Sequence, residues 1–133
     1  MKKICIVVSN YSSEITNKLY NNAIKELKKY KKIKIKTFKA PGSFEIPVII
    51  SRNINGFDAF IAIGCIIKGK TKNFELISKS ITDGIMMLSI LKKKPIGNAI
   101  LTCFNLSQAK KRINKGREAA KAVMSVLNDA SKR

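Results

Sequence analysis

The sequence predicts an α/β fold in which a parallel sheet lies between two layers of helices. Segments with the apolar, β-branched pattern of strands alternate with segments of helical period along the chain. Consecutive strands that are separated by a helix are joined by right-handed crossovers, which make the strands parallel. With 133 residues and neither an internal repeat nor a linker-like stretch, the chain is expected to form a single domain over residues 1–133.

The pattern resolves into alternating strands and helices. The strands are predicted at residues 3–9, 33–39, 57–64 and 98–103. The helices are predicted at residues 12–30, 44–54, 72–92 and 105–128, the last with a break at 114–116. The second strand, IKIKTFK, alternates with period two, which suits an edge strand that is buried on one face only. Together these elements predict a three-layer α/β/α sandwich with a four-stranded parallel sheet in the flavodoxin-like order 2-1-3-4.

Polar, aromatic and glycine residues follow the ends of the predicted strands. The carboxyl ends of parallel strands lie at one edge of the sheet, and ligands bind there, near the point between strands 1 and 3 where the strand order reverses. The segments expected at this edge are 10–11, 41–45, 65–73 and 102–105. They supply an aromatic ring, a carboxylate and a glycine–threonine turn, so the sequence predicts a small-molecule site at this edge.

The composition restricts the chemistry of that site. The formal net charge is +19, but only four of the 27 basic residues are arginine, the side chain that most often reads bases. Aromatic residues do not alternate with the basic ones as they would in a base-stacking surface, so nucleic-acid binding is not expected as the main function. The chain has no histidine, which removes the commonest general acid–base group and a common metal ligand.

The cysteines and the N-terminus indicate a cytoplasmic protein. Cys5, Cys65 and Cys103 fall in or just after predicted strands and are expected to be reduced thiols in the core. The first residues, MKKICIVVSN, have too short an apolar run for a signal peptide and are interpreted as the first strand. No apolar stretch is long enough to span a membrane.

The stretch GCIIKGKT, residues 64–71, matches the Walker A pattern of nucleotide-binding loops. Such a loop wraps phosphate with consecutive backbone N–H groups, but the adjacent Ile66 and Ile67 disfavour the positive φ angles that this requires. No predicted strand ends in an acidic residue that would hold magnesium, and Glu45 is the only acidic residue predicted at this edge. NTP hydrolysis is therefore not expected.

The end of the same stretch still suits a phosphate. Gly69, Lys70 and Thr71 directly precede a predicted helix, and a helix N-terminus with a glycine turn and a hydroxyl can hold one phosphate without magnesium. The alternative is a plain helix start in which Thr71 is the N-cap residue.

Two long segments carry a resemblance to a known family. PGSFEIP (41–47) resembles the segment P-G-[AS]-[FY]-E-[IL]-P of the 6,7-dimethyl-8-ribityllumazine synthase family, and FDAFIAIGCIIKGKTKNFELIS resembles its strand–turn–helix segment. VVSNYSSEIT and LTCFNLSQAKKR are similar to its first-strand and C-terminal segments, so the resemblance covers nearly the whole chain. It implies condensation of 5-amino-6-(D-ribitylamino)uracil with 3,4-dihydroxy-2-butanone 4-phosphate in riboflavin biosynthesis, with release of phosphate and water. It implies no metal or redox cofactor.

The resemblance also implies the roles of individual residues. Tyr11 would stack on the pyrimidine ring, and Glu45 would accept hydrogen bonds from ribityl hydroxyls. The residues implied around the ring and the ribityl chain are Tyr11, Ser43, Phe44, Glu45, Cys65, Ile66, Ile67 and Asn98. Those implied around the phosphate are Gly69, Lys70, Thr71 and Arg112, with Lys115 near the site. Arg112 is expected to reach the phosphate from a neighbouring subunit.

The chain departs from the family pattern at two site positions. Asn73 stands where the family has a histidine that is expected to assist proton transfer, and an asparagine can orient a hydroxyl or a water but cannot titrate. Lys70 or Lys72 would then partly substitute. Asn98 stands where the family has an aromatic or small residue. The alternative function is a catalytically weakened paralogue that binds a flavin or lumazine or serves as a scaffold.

The resemblance implies a homo-oligomer with active sites at subunit interfaces. Family members form pentamers, and some assemble twelve pentamers into a shell. In this sequence the segment RINKG (112–116) is shorter than the family's corresponding loop, and strand 1 begins almost directly at the first residue. A homopentamer is therefore expected rather than a shell, with riboflavin synthase as a candidate partner.

Overall fold

A parallel sheet forms the centre of the structure, which is a computed structural model that describes residues 1–70 and 73–131. In these residues the sheet has four strands in the order β2-β1-β3-β4. All neighbouring strands are parallel. The strands are β1 (Lys2–Ser9), β2 (Ile33–Ala40), β3 (Ala59–Ile67) and β4 (Ile96–Cys103). The predicted strand order is confirmed, and so is the edge position of β2.

Helices cover both faces of the sheet and give the predicted three-layer fold. They are α1 (Ser13–Leu27), α2 (Ile46–Arg52), α3 (Phe74–Lys92), α4 (Leu106–Lys110) and α5 (Lys115–Ser131). Short 3₁₀ turns at Ser43–Glu45 and Lys68–Lys70 precede α2 and α3. Within the described residues, no helix is both long enough and apolar enough to cross a membrane.

The sheet has a separate apolar layer on each face. Side chains alternate along β1, so that Ile4 and Ile6 pack with α1 and α5 while Cys5 and Val7 pack with α2 and α3. Every residue of β3 is buried, which explains its unbroken apolar sequence. The two layers hold all strand ends in fixed positions, including those that carry the candidate site.

The main difference from the predicted elements lies at the end of β3. The strand was expected to end at Gly64, but it continues to Ile67. Ile66 pairs with Thr102, and Ile67 pairs with Cys103. Isoleucine favours the pleated strand conformation, and this preference outweighs the tendency of a glycine to end a strand. The Walker-like stretch is therefore half strand, which agrees with its rejection as a nucleotide loop.

Other boundaries shift by a few residues. The third helix begins at Phe74 instead of residue 72. The break in the C-terminal helical region covers residues 111–114, between α4 and α5. At the start of α5, Gly116 allows a close approach to α1, because a Cβ atom at this position would collide with the backbone carbonyl of Leu19. This contact fixes where α5 can begin.

The three cysteines are buried in β1, β3 and β4, as predicted. Burial raises the pKa of Cys5 to about 12, and the positive charge of Lys36 opposes this rise only in part. Burial also raises the pKa of the Cys103 thiol, with a smaller opposing effect of Arg112. These two thiols therefore stay protonated at neutral pH and pack in the hydrophobic core.

A buried carboxylate connects α1 to α5. Glu26 is 5% exposed, and its Oε1 lies 3.1 Å from Lys29 Nζ and 3.4 Å from Arg117 Nε. Burial raises the pKa of this carboxyl. The hydrogen bond from Lys29 and the charges of Lys29, Arg117 and Lys121 more than offset that effect, so the pKa lies below its ordinary value.

We expect Glu26→Gln to lower the thermal stability at neutral pH. The pKa of Glu26 is lower in the folded than in the unfolded chain. The ionised carboxylate therefore stabilises the fold fully above the unfolded-state pKa, and this stabilisation is lost as pH falls through the folded-state pKa. The difference in Tm between wild type and variant, followed by circular dichroism at equal protein concentrations, should shrink on acidification. The exposed Glu118→Gln is the control. A difference that stays constant down to a pH of about 2 would contradict the assignment.

Candidate active site

A cavity of about 190 Å³ lies at the carboxyl ends of β1 and β3, where the strand order reverses. We call it the first cavity. Its walls come from the segments after β1 and β2, from the end of β3 and from the first turns of α3. The lining residues are Tyr11, Gly42, Ser43, Phe44, Glu45, Cys65, Ile66 and Ile77. Six of them were predicted as site residues from the sequence, and Gly42 and Ile77 were not.

Backbone hydrogen bonds hold Tyr11 at the mouth of the first cavity. The Asn10 backbone N–H donates to the Ala40 carbonyl at 2.8 Å, which ties the segment after β1 to the end of β2. The Tyr11 backbone N–H donates to Ser9 Oγ at 3.1 Å. The Tyr11 side chain remains 44% exposed, so its ring is available to a planar ligand.

The turn at Ser43–Glu45 lies directly on β3 because Gly64 has no side chain. A Cβ atom at Gly64 would collide with Ser43 Oγ. Ser43 is only 8% exposed, and its hydroxyl has no hydrogen-bond partner among the described residues. A buried hydroxyl without a partner costs about 1–3 kcal/mol. Ser43 Oγ is enclosed by its neighbours, so a ligand hydroxyl would reach this unused donor and acceptor after a shift of the turn.

Glu45 and Phe44 complete this side of the cavity. The Glu45 side chain folds back over the turn, with Oε1 3.2 Å from the position that a Cβ of Gly42 would occupy. Phe44 is exposed at the mouth. The arrangement places a carboxylate and aromatic rings around one opening, with the Ser43 hydroxyl buried behind them, which suits a ligand with an aromatic ring and several hydroxyl groups.

A second cavity, of about 390 Å³, lies at the first turn of α3. Its lining residues are Lys68, Asn73, Phe74, Glu75 and Leu76. Ile77 lines the first cavity, and its backbone N–H donates to the Asn73 carbonyl at 2.9 Å, so residues one helical turn apart on α3 line the two cavities. We call this second space the turn cavity.

Asn73 begins α3 as the N-cap residue, with φ 56° and ψ 39°. Asparagine tolerates this left-handed conformation better than most residues. The Asn73 side chain makes no capping hydrogen bond, and the residue is exposed at the turn cavity. Asn73 thus lies at the wall of the turn cavity, and its role at the family's histidine position stays a prediction.

The sequence reasoning missed a charged pair at the turn cavity. Glu75 lines this cavity, so the expectation that Glu45 is the only acidic residue at this edge was wrong. Its Oε1 lies 4.0 Å from Lys68 Nζ, which in turn lies 5.2 Å from the ring centroid of Phe104. The sequence feature that could have revealed this pair is the position of Glu75 in the first turn of the helix that follows strand 3.

The predicted phosphate turn is only partly within the described residues. Gly69 lies in the 3₁₀ turn Lys68–Lys70, and open space surrounds the position of its missing side chain. Thr71 and Lys72 lie outside the described residues, so their roles stay predictions. Ile67 ends β3 and packs in the layer of α1 and α5, so its side chain does not line the first cavity.

Besides Ile67 and Gly69, the predicted site residues Asn98, Arg112 and Lys115 line neither of the two cavities. Asn98 lies in β4 opposite Ala62, and its Oδ1 accepts a hydrogen bond from the Ile100 backbone N–H at 2.9 Å. Arg112 is exposed in the turn between α4 and α5, near the end of β4, and Lys115 is exposed at the start of α5. A single chain does not bring these groups to Tyr11 and Glu45.

The protein has an α/β fold whose parallel sheet has the flavodoxin-like order. Its first cavity lies at the carboxyl edge of this sheet, which is where proteins of this class bind small molecules. The family model for 6,7-dimethyl-8-ribityllumazine synthase matches residues 1–130. The chain therefore belongs to the 6,7-dimethyl-8-ribityllumazine synthase family, a family of enzymes, and the resemblance seen in the sequence is confirmed.

Curated relatives with this name are similar over most of the chain. One from Bdellovibrio bacteriovorus is 35% identical over 131 residues, which cover 94% of this chain and 73% of the relative. One from Polaromonas sp. is 37% identical over 130 residues, which cover 94% and 84%. One from Wigglesworthia glossinidia brevipalpis is 37% identical over 136 residues, which cover 95% and 88%.

We expect Gly64→Ala to lower the free energy of unfolding by about 1–3 kcal/mol, since the new methyl group collides with Ser43 Oγ. Ser43→Ala removes that oxygen, and the double variant Gly64→Ala/Ser43→Ala should recover most of the loss. Gly56→Ala is the control, because a Cβ there makes only an ordinary contact at 3.7 Å. Urea unfolding at equal protein concentrations measures all four, and additive effects of the two substitutions would contradict the contact.

Proposed function

We propose that this chain condenses 5-amino-6-(D-ribitylamino)uracil with 3,4-dihydroxy-2-butanone 4-phosphate to 6,7-dimethyl-8-ribityllumazine, releasing phosphate and water. The observation that carries the proposal is the first cavity. There Tyr11, Ser43 and Glu45 surround one opening at the point where the strand order reverses, in a chain that belongs to this enzyme family. These groups match a substrate that combines a pyrimidine ring with a polyhydroxy chain.

The first cavity would bind the ribitylaminouracil. The Tyr11 ring stacks on the pyrimidine, and the backbone of Cys65 and Ile66 runs along the ring edge. Glu45 accepts hydrogen bonds from ribityl hydroxyls, and these are charge-assisted bonds of the stronger kind. The Ser43 hydroxyl, which has no partner among the described residues, exchanges a hydrogen bond with the same chain.

The turn cavity would bind the butanone phosphate. Residues one helical turn apart on α3 line it and the first cavity, so the two substrates meet across the start of α3. The phosphate is held by Gly69, Lys70 and Thr71 at the N-terminus of this helix, where backbone N–H groups and the helix dipole favour an anion. Proximity and electrostatic stabilisation of this kind do not need a metal or redox cofactor.

The site would be completed by a neighbouring copy of the chain. Pockets for ligands of this size usually measure about 300–1,000 Å³, whereas the first cavity of one chain measures about 190 Å³. A neighbouring subunit then supplies Arg112 to the phosphate, with Lys115 and Asn98 close to the substrates. In this arrangement the partner adds a guanidinium to the positive charge that Lys68 already places at the turn cavity.

The surface of α3 supports a homo-oligomer. Large apolar side chains are exposed along this helix, and Phe44 and Phe104 are exposed near its start. The exposed apolar residues of α3 are Leu76, Met86, Met87, Ile90 and Leu91. Exposed apolar side chains grouped on one helix in this way are typical of a protein contact. We infer a homopentamer in the cytoplasm rather than a sixty-subunit shell, with riboflavin synthase as a candidate partner.

The direct test mixes the purified protein with both substrates and follows lumazine fluorescence. We expect a rate above the spontaneous reaction. Glu45→Ala should raise KM for the ribitylaminouracil roughly 10- to 100-fold, because each lost hydrogen bond to a charged group is worth about 1.5–3 kcal/mol. Glu118→Ala, an exposed carboxylate on α5, is the control.

No acceleration by the wild-type protein would reject the enzyme function. Binding of lumazine without acceleration would instead support a non-catalytic paralogue. An unchanged KM in Glu45→Ala, together with an active wild type, would reject the role assigned to the first cavity.

A further inference from the structure

The turn cavity contains a carboxylate that none of the roles above uses. The chain has eight acidic residues, and among the described side chains Glu75 is the one that lines the cavity with Asn73. Glu45 lines the first cavity. Elsewhere, Glu14, Glu26 and Asp83 face lysine or arginine side chains, and Asp58 accepts from a backbone N–H. Glu75 is therefore the carboxylate best placed to meet a substrate beside Asn73.

The neighbours of Glu75 leave its hydrogen-bonding capacity unused. Lys68 Nζ lies 4.0 Å from Glu75 Oε1, which is an ion-pair distance and too long for a hydrogen bond. Lys79, one helical turn further on, bonds to Asp83 at 2.6 Å instead. The Glu75 side chain is 85% exposed, so its oxygens keep lone pairs that can accept a proton, and Lys68 is the nearest positive charge.

Lys68 is itself held in place by an aromatic ring. Its ammonium lies 5.2 Å from the centroid of Phe104, within the range of a cation–π contact. The Phe104 backbone N–H donates to Gln108 Oε1 at 2.8 Å, and the Phe104 ring lies 6.5 Å from the ring of Phe74. The Phe104 ring, from the loop after β4, thus meets Lys68 in the turn after β3, and Lys68 is the group that faces the Glu75 carboxylate.

We propose that Glu75 is the general base of the condensation, in place of the imidazole that this histidine-free chain lacks, and that Lys68 is its positioning residue. The inference rests on the proposed function, because it assigns a proton acceptor to that reaction. Asn73 at the same cavity orients the substrate but takes no proton.

The step that needs a base follows formation of the imine. A C–H bond breaks at the carbon between the imine carbon and the phosphate-bearing carbon, and its proton passes to the Glu75 carboxylate. The electron pair forms a double bond to the phosphate-bearing carbon, whose C–O bond breaks with its pair leaving on phosphate. Glu75 then returns the proton to the terminal carbon of the enol as the enol hydroxyl releases its proton to water. The resulting ketone is attacked by the ribitylamino nitrogen, and loss of water closes the ring.

Glu75→Gln tests the inference because it keeps the shape of the side chain and removes the proton acceptor. We expect kcat to fall about 10²–10⁴-fold, with KM for both substrates changed less than about threefold. Glu118→Gln should retain wild-type kcat. Lys68→Met should lower kcat less than Glu75→Gln does, and Lys68→Arg should restore most of that loss.

Chemical rescue separates proton transfer from a structural role. Formate should restore part of kcat in Glu75→Ala, because a small carboxylate can occupy the space left by the side chain, and it should not stimulate Glu45→Ala. The double variant Asn73→His/Glu75→Ala should also regain activity, since an imidazole then stands in the same cavity. Lumazine binding and circular dichroism establish that each variant is folded.

The outcomes distinguish this inference from the proposed function. If the wild type does not accelerate the reaction, both fail. If the wild type is active and Glu75→Gln has the same kcat, the inference alone is overturned. It is also overturned if Glu75→Ala loses activity through KM, or if neither formate nor Asn73→His restores a folded Glu75→Ala.

Discussion

The pairing of β3 with β4 through Ile67 and Cys103 determines what the end of β3 can do. Because the strand stays extended to this point, the Walker-like stretch cannot wrap a phosphate with its first residues, and only a short 3₁₀ turn remains before α3. The same pairing brings the loop after β4 alongside that turn, so that the Phe104 ring meets Lys68. The sheet geometry therefore rules out a nucleotide-binding loop here, and two cavities lie at the start of α3 instead.

Close backbone approach forms the rest of the site. Gly64 lets the turn at Ser43–Glu45 lie against β3, which puts the Ser43 hydroxyl and the Glu45 carboxylate beside the ring of Tyr11. The cost is a buried hydroxyl with no partner among the described residues, an arrangement that a ligand can satisfy. The Ser43 hydroxyl therefore lowers the stability of the free protein and is also a group that a ligand can bind.

The sequence predicted the fold well because its signals were local and consistent. Continuous apolar strands, the alternation of β2 and the order of crossovers were sufficient for the layers and the strand order. The predicted end of β3 at Gly64 was wrong, because the sequence alone does not distinguish a glycine within a strand from a glycine that ends one. Glu75 and Lys68 were missed because their proximity depends on the length of the turn between β3 and α3, which no periodicity specifies. The contacts proposed for Arg112 could not be read from one chain, because they lie on another copy.

The position of bound 6,7-dimethyl-8-ribityllumazine tests most directly whether the first cavity is the active site. In a crystal structure of the protein with this product, the pteridine ring should lie on Tyr11 with the ribityl chain within hydrogen-bond distance of Ser43 Oγ and Glu45. Arg112 of a neighbouring subunit should lie at the open side of the turn cavity. Product bound elsewhere on the chain, or bound in the first cavity with its ribityl chain directed away from Ser43 and Glu45, would contradict this assignment.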